Sequence, residues 1–249
     1  MEFALTMIAI ADERLPTADE VQRAFASAQG EWGAISRLDR NDKAVTFELD
    51  GYNVAVGLVA KPIPWADLAG PVAASPLWPE AATKMQKQRA HLLVTVFAMR
   101  VDRLKMWMTM TRAAAGLCEL PSVIGIYWPE AGLVHEPAAF RKLAAEMTRE
   151  RLPLYLWISI RLGRNEDGSL FGFTTGLAAF EQMELEVSHC NWTPDELSHR
   201  LYNFAHYLLD RGPVLLDGQT IGLSADEQIT IEHRPSLCGD DRTVIHLQP

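Results

Sequence analysis

Glu184, Glu186 and His189 fall within six positions of one another, with Glu181 and Cys190 at their flanks. Side chains alternate along a strand, so Glu184 and Glu186 share a face. Two carboxylates on one face beside an imidazole can hold a divalent metal or work as acid and base. The competing use is structural, a solvated strand face followed by a capping loop. A metal site would want a second group of ligands, and no recognisable spacing supplies one. The sequence therefore leads to the expectation of no metal and no cofactor, with a small enzyme or metal-dependent hydrolase built on Glu184, Glu186 and His189 as the alternative.

The other reactive side chains are less organised. His199 and His206 are seven apart on one helix, whereas zinc helices use the four-residue spacing of HExxH. His91 stands at the head of an apolar run and reads as a core histidine. His135 neighbours Glu136, and His233 and His246 fall in the last strands, all without an identifiable nucleophile. There is no GxSxG elbow, and Ser122, Ser159 and Ser169 lack any diagnostic context. Cys118 ends an apolar helix and reads as an inert thiol. Walker A and GxGxxG patterns are absent. Lys84, Lys87 and Arg89 read as a solvated helix face. These readings favour a protein that is not an enzyme.

The elements that must position these residues follow from spacing and punctuation. Residues 3–11 form a strand-length apolar run. Thr17 and Glu20 make a capping box for a helix carrying Val21, Ala24, Phe25 and Ala28, which Gly30 closes. Strands follow at 32–38, 44–49 and 52–60, the last two joined by the Asp50-Gly51 turn. The proline-rich stretch 62–79 holds Trp65 and Trp78 and reads as a connection. Beyond it come a short polar helix at 80–89, a strand at 91–98, a helix at 102–117, a strand at 123–128 and a helix at 137–149. The next expected strands are 154–162, 170–175 and 183–188. Thr193-Pro194-Asp195-Glu196 opens a helix that runs to Arg211 and ends at Gly212. Short strands at 214–216, 219–221, 229–234 and 242–247 finish the chain. The fold class is α+β, with a mostly antiparallel sheet or sheets, packed helices and a β-α-β-β start. We expect a single domain over 1–249, with any subdivision near 62–79.

Bulk properties narrow the partners. The 249 residues carry 23 Lys and Arg against 32 Asp and Glu, a net charge of −9. That balance repels phosphate backbones and anionic membrane surfaces, and it speeds capture of a basic protein. With 48% hydrophobic and 22% charged residues, the chain has the composition of a folded globular protein. Three cysteines, with no CxxC, read as a reducing compartment. No apolar run approaches the ~20 residues of a membrane helix, and the first residues read as a strand and not as a signal peptide. The expected location is the cytoplasm.

Several segments together resemble a known family. They are residues 90–94 (AHLLV), 152–157 (LPLYLW), 174–177 (TTGL) with 184–186 (ELE), 202–209 (YNFAHYLL), and the 217–222 hairpin (DGQTIG). The chain resembles a bacterial family of single-domain proteins of unknown function. Within it, the chain is similar to immunity proteins of the TsiT kind, encoded beside type VI secretion effectors. The resemblance implies a cytoplasmic protein that binds and neutralises a nuclease toxin, and it carries no catalytic residues. Acidic pairs suited to such a basic partner are Glu166 with Asp167, Asp226 with Glu227, and Asp240 with Asp241. Oligomeric state is not set by any pattern in the sequence.

Overall fold

The computed structural model describes residues 2–27, 32–75, 77–99, 102–224, 227–239 and 241–249. The chain packs as two compact units, residues 1–156 and 157–249, and the proline-rich stretch 62–79 lies inside the first. The fold is α+β, and it opens β-α-β-β as the sequence predicts. Among the described residues, no helix is long and apolar enough to cross a membrane.

The first unit contains β1 (Glu2–Ile10), α1 (Ala18–Ser27), β2 (Ser36–Arg40), β3 (Ala44–Leu49), β4 (Tyr52–Val59), α2 (Trp65–Ala73), α3 (Ala81–Met85) and β5 (Ala90–Ala98). It continues with α4 (Arg103–Leu117), β6 (Val123–Trp128), β7 (Leu133–His135) and α5 (Pro137–Ala145). Its seven-stranded sheet runs β2-β3-β4-β5-β1-β6-β7, every pair antiparallel. The β3–β4 turn is the one expected: Asp50 and Gly51 both take positive φ (53° and 83°), which suits the twist of a two-residue hairpin. Asp50 then accepts from Arg112 on α4 at 2.6 Å, tying the turn to that helix.

Helix α4 begins where Asp102 accepts from the Lys105 backbone N–H at 3.0 Å. The sequence shows an apolar stripe on α4, but burial extends nearly all round it, taking in Met106, Met110, Ala113 and Ala114. The cause is its position, because α4 packs on β1 and β5 and is also contacted by α1 and α5. A file of buried rings runs from it: Trp107 to Trp128 at 5.3 Å, Trp128 to Phe140 at 5.9 Å, and Phe140 to His135 at 5.5 Å. A second cluster joins Ala9, Ile63, Leu68, Trp78, Ala81, Met85 and Val134. The proline-rich connection is thus a helix, α2, with Pro64 at its N-cap and Pro71 inside it. Leu68 and Trp78 cover the core there, while Trp65 stays 40% exposed.

The second unit follows α6 (Leu154–Trp157) and contains β8 (Ser159–Arg164), β9 (Leu170–Thr175), β10 (Leu185–Cys190), α7 (Pro194–Arg211), β11 (Thr220–Ile221), β12 (Ile229–Pro235) and β13 (Thr243–Gln248). Its six-stranded sheet runs β11-β12-β13-β10-β9-β8. All pairs are antiparallel except β10 with β13. The expected strand 154–162 is split, because Pro153 presets a helical turn and Trp157 turns inward to stack on Phe180 at 5.2 Å. Residues 214–216 form no strand. Helix α7 has the predicted capping box, Thr193 with Glu196, and packs on β8 and β9. Its Leu197 and Leu201 sit where a side chain at Gly172 would be, 3.2 Å from the missing Cβ.

Two expected outcomes follow from the first unit. Gly→Ala in a helix ordinarily gains up to ~1 kcal/mol. At Gly116 the new methyl would lie 2.6 Å from the Phe25 ring, which is itself buried against Phe47. Crowding wins there, and Gly116→Ala should lower stability by about 1–3 kcal/mol in urea unfolding. His135 is buried, donates from Nε2 to the Leu156 carbonyl (3.2 Å), and has its pKa pushed by burial down to about 4. The unfolded chain, titrating near 6.5, binds the proton first. Stability from this group is present above pH 6.5 and is lost as pH falls towards 4. His135→Gln should flatten that part of the stability–pH profile.

Candidate functional site

Glu184 precedes β10 and is 5% exposed. Its carboxylate accepts from the backbone N–H of Gly176 at 2.9 Å, that of Ala178 at 3.1 Å, and the Thr174 hydroxyl at 2.7 Å. Thr174 Oγ1 in turn accepts from the Leu185 N–H at 2.8 Å. Gly176 takes φ 123° here, and the short 3-10 turn Leu177–Phe180 starts on these two N–H groups. The side chain is a buried clamp on a loop.

Glu186 is 4% exposed and serves a different loop. It accepts from the Ser236 hydroxyl at 2.5 Å and the Leu237 N–H at 3.0 Å, fastening the turn between β12 and β13. His189 is exposed. Glu184 and Glu186 therefore clamp two separate loops, and the structure does not bring Glu184, Glu186 and His189 together as one reactive group.

A different arrangement forms one residue further along. β10 pairs with β9 at Val187–Gly172 and again at Cys190–Leu170, so Ser188 and His189 together face one residue. This β-bulge takes Ser188 out of the ladder. Its N–H donates to His246 Nε2 on β13 at 3.3 Å, and its hydroxyl lies 2.9 Å from the same nitrogen. Its carbonyl accepts from Asn165 Nδ2 at 2.9 Å. A nitrogen that accepts the Ser188 N–H carries no proton, so the imidazole proton is on Nδ1. Nδ1 is buried and makes no hydrogen bond among the described residues; Glu232 Oε2 lies 3.9 Å from it. Burial and then nearby Arg234 hold the His246 pKa below its ordinary value, which keeps the ring neutral.

The register explains the assembly. Glu186 pairs with Phe173 on β9 and with His246 on β13, and His246 pairs with Glu232 on β12. Paired residues share a face, so these four form one row across the sheet. At the Ser188 end opens a cavity of about 250 Å³ walled by Phe171, Phe173, Glu186, Ser188, His189 and Cys238. A larger cleft in the first unit, about 440 Å³, is lined by Glu20, Arg23 and Glu119. Its acids are engaged, Glu20 with Arg14 and the α1 cap, Glu119 with Arg141.

The acidic pairs are dispersed. Glu166 is exposed in the β8–β9 turn. Asp167 beside it accepts from the Ser169 N–H (2.9 Å) and hydroxyl (2.6 Å), and these bonds hold its pKa below the usual carboxylate value. Glu227 is bound by Arg200 at 2.6 Å and by the Leu223 N–H at 2.8 Å. Asp241 is exposed in the β12–β13 turn. Asp226 and Asp240 lie outside the described residues. The register puts the 165–168 turn and the loop before β12 at one end of the sheet, and Asp241 at the other.

The remaining histidines and thiols are structural or apart. His91 Nδ1 meets the Lys61 carbonyl at 2.8 Å, and His233 Nε2 the Leu215 carbonyl at 2.8 Å. Burial raises the pKa of Cys118 and Cys190. Among the described residues, no three His, Cys, Asp or Glu side chains gather as metal ligands. Nothing in the sequence joins Ser188 to His246, 58 positions away.

By its architecture this is an α+β protein of two units, the second carrying the row just described. A protein-family model described as "Domain of unknown function (DUF4261)" matches residues 173–248. That stretch includes Glu184, Glu186, Ser188, His189, Glu232 and His246. No curated protein and no solved structure matches the chain.

The Glu184 clamp makes a testable demand. Glu184→Ala would leave the buried Gly176 N–H and the buried Thr174 hydroxyl without their acceptor, at ~1–3 kcal/mol each. Urea unfolding should show a loss of about 3 kcal/mol.

Proposed function

We propose that the chain is a cytoplasmic immunity protein that binds and neutralises a cognate type VI secretion effector, a nuclease toxin. The reading assigns no turnover to Glu184, Glu186 and His189, whose two carboxylates are spent on holding loops. The observation that carries it is a run of apolar side chains outside the core beside the two-residue edge strand β11. Val214, Leu216 and Leu223 are all exposed there, Leu216 by 54%. A short edge strand flanked by exposed aliphatic groups is the kind of surface a protein partner covers. The loop before β12 and the Glu166 turn lie at the same end of the sheet, and the whole chain carries −9. A basic toxin is steered towards such a surface by charge and held there by apolar contact.

The test uses the full chain and the nuclease effector encoded beside its gene. Co-expression should rescue growth, and the two proteins should co-purify. Leu216→Asp should weaken binding at least about tenfold, equivalent to ~1.4 kcal/mol, while leaving the thermal midpoint in place. Glu166→Lys should slow association and reduce its salt dependence. Unchanged affinity in Leu216→Asp and in Leu223→Asp would remove this surface from the reading, and failure to rescue or co-purify would remove the reading itself.

A further inference from the structure

Ser188 is held at every polar atom it has. Its N–H and hydroxyl meet His246 Nε2, at 3.3 and 2.9 Å, and its carbonyl meets Asn165 at 2.9 Å. Satisfying a bulge needs only the backbone contacts. The hydroxyl contact adds something else: a serine O–H directed at an unprotonated imidazole nitrogen, with a carboxylate on the far side of the ring. Ser188 also walls the 250 Å³ cavity, while His246 is 3% exposed. Ser188 thus borders the cavity, and the ring that would take its proton is buried directly behind it.

We propose that Ser188 is an acyl-accepting nucleophile, with His246 as its general base, Glu232 as a positioning residue and small uncharged esters as the substrate class. The geometry is that of a nucleophile and base in hydrogen-bond reach, with the base backed by a third group. The cavity lies just below the usual size of small-molecule sites, which limits the acyl part to a few carbons against Phe171 and Phe173. In the reaction Ser188 Oγ bonds to the acyl carbon and its proton passes to His246 Nε2. The bond from the acyl carbon to the leaving oxygen breaks, and that oxygen takes the proton from His246. Water, deprotonated by the same nitrogen, then cleaves the acyl-serine and restores both side chains. Glu232, 3.9 Å from Nδ1, approaches as the ring becomes charged. The charged or titratable groups around the ring are Glu186 and His189 on β10 and Glu232 and Arg234 on β12.

This activity stands apart from toxin binding and is tested with no partner present. The full chain is incubated separately with p-nitrophenyl butyrate and with a fluorophosphonate probe, and adducts are mapped by mass spectrometry. One adduct is expected, on Ser188, and Ser188→Ala abolishes it. His246→Gln slows labelling by at least about 100-fold. The wild-type rate rises with pH and levels off as His246 loses its proton, with a midpoint below that of a free histidine; Glu232→Gln moves that midpoint. Should His246→Gln fail to fold, the wild-type pH profile still decides. No adduct on Ser188 with either reagent overturns the proposal, as do adducts confined to His189 or Cys238. A pH-independent rate, or labelling undiminished in a folded His246→Gln protein, removes His246 as the base. An unmoved midpoint in Glu232→Gln removes Glu232.

Discussion

A carboxylate taken out of water must be met by donors, and around β10 that demand shapes the chain on both sides. Glu184 has no lysine or arginine beside it in its bonding; it is met by two backbone N–H groups and a threonine hydroxyl. Glu186 is met by a serine hydroxyl and one backbone N–H. Each set includes donors from a loop that has no ladder of its own. The bend after β9 and the turn before β13 are therefore built round these oxygens, and the cost of desolvating them is offset only if both loops close. The two loops then fix what flanks the bulge at Ser188. The cavity inherits its walls from this arrangement: Phe171 and Phe173 from β9, Leu237 and Cys238 from the fastened turn.

The first unit meets buried polarity by a different route. His135 sits among aromatic rings, and there burial outweighs the pull of the Leu156 carbonyl and keeps the imidazole neutral. Asp50, by contrast, is engaged by Arg112 at partial exposure, where both ions keep some hydration. His135 is thus held by neutrality and Asp50 by pairing, whereas Glu184 and Glu186 are met by backbone and hydroxyl donors.

Local chemistry was legible in the sequence and long-range pairing was not. The Thr193–Glu196 and Thr17–Glu20 boxes and the Asp50-Gly51 turn are set by neighbours a few residues apart, and all three appear as read. Helix α2 was hidden because its two prolines mark loops elsewhere; one stands at the N-cap, where a missing N–H costs nothing. The expected 154–162 strand begins instead with a helical turn, which Pro153 starts. The face-sharing of Glu184 and Glu186 was the natural reading of two strand residues, but Glu184 stands outside the strand. Ser188 and His246 meet only because β13 lies beside β10, a choice of neighbour that no spacing reveals.

That choice of neighbour also bears on how the second unit assembles. β13 comes after every other strand in chain order, yet it sits mid-sheet between β12 and β10. β8, β9 and β10 can zip up as they are made, and β11 with β12 can form a hairpin. Among the described strands, the two halves pair with each other only through residues 243–248. Closing the sheet depends on a contact spanning some sixty positions, the kind that slows folding most. During synthesis the exposed side of β10 is an unpaired edge, and it stays open to strangers until its own partner arrives.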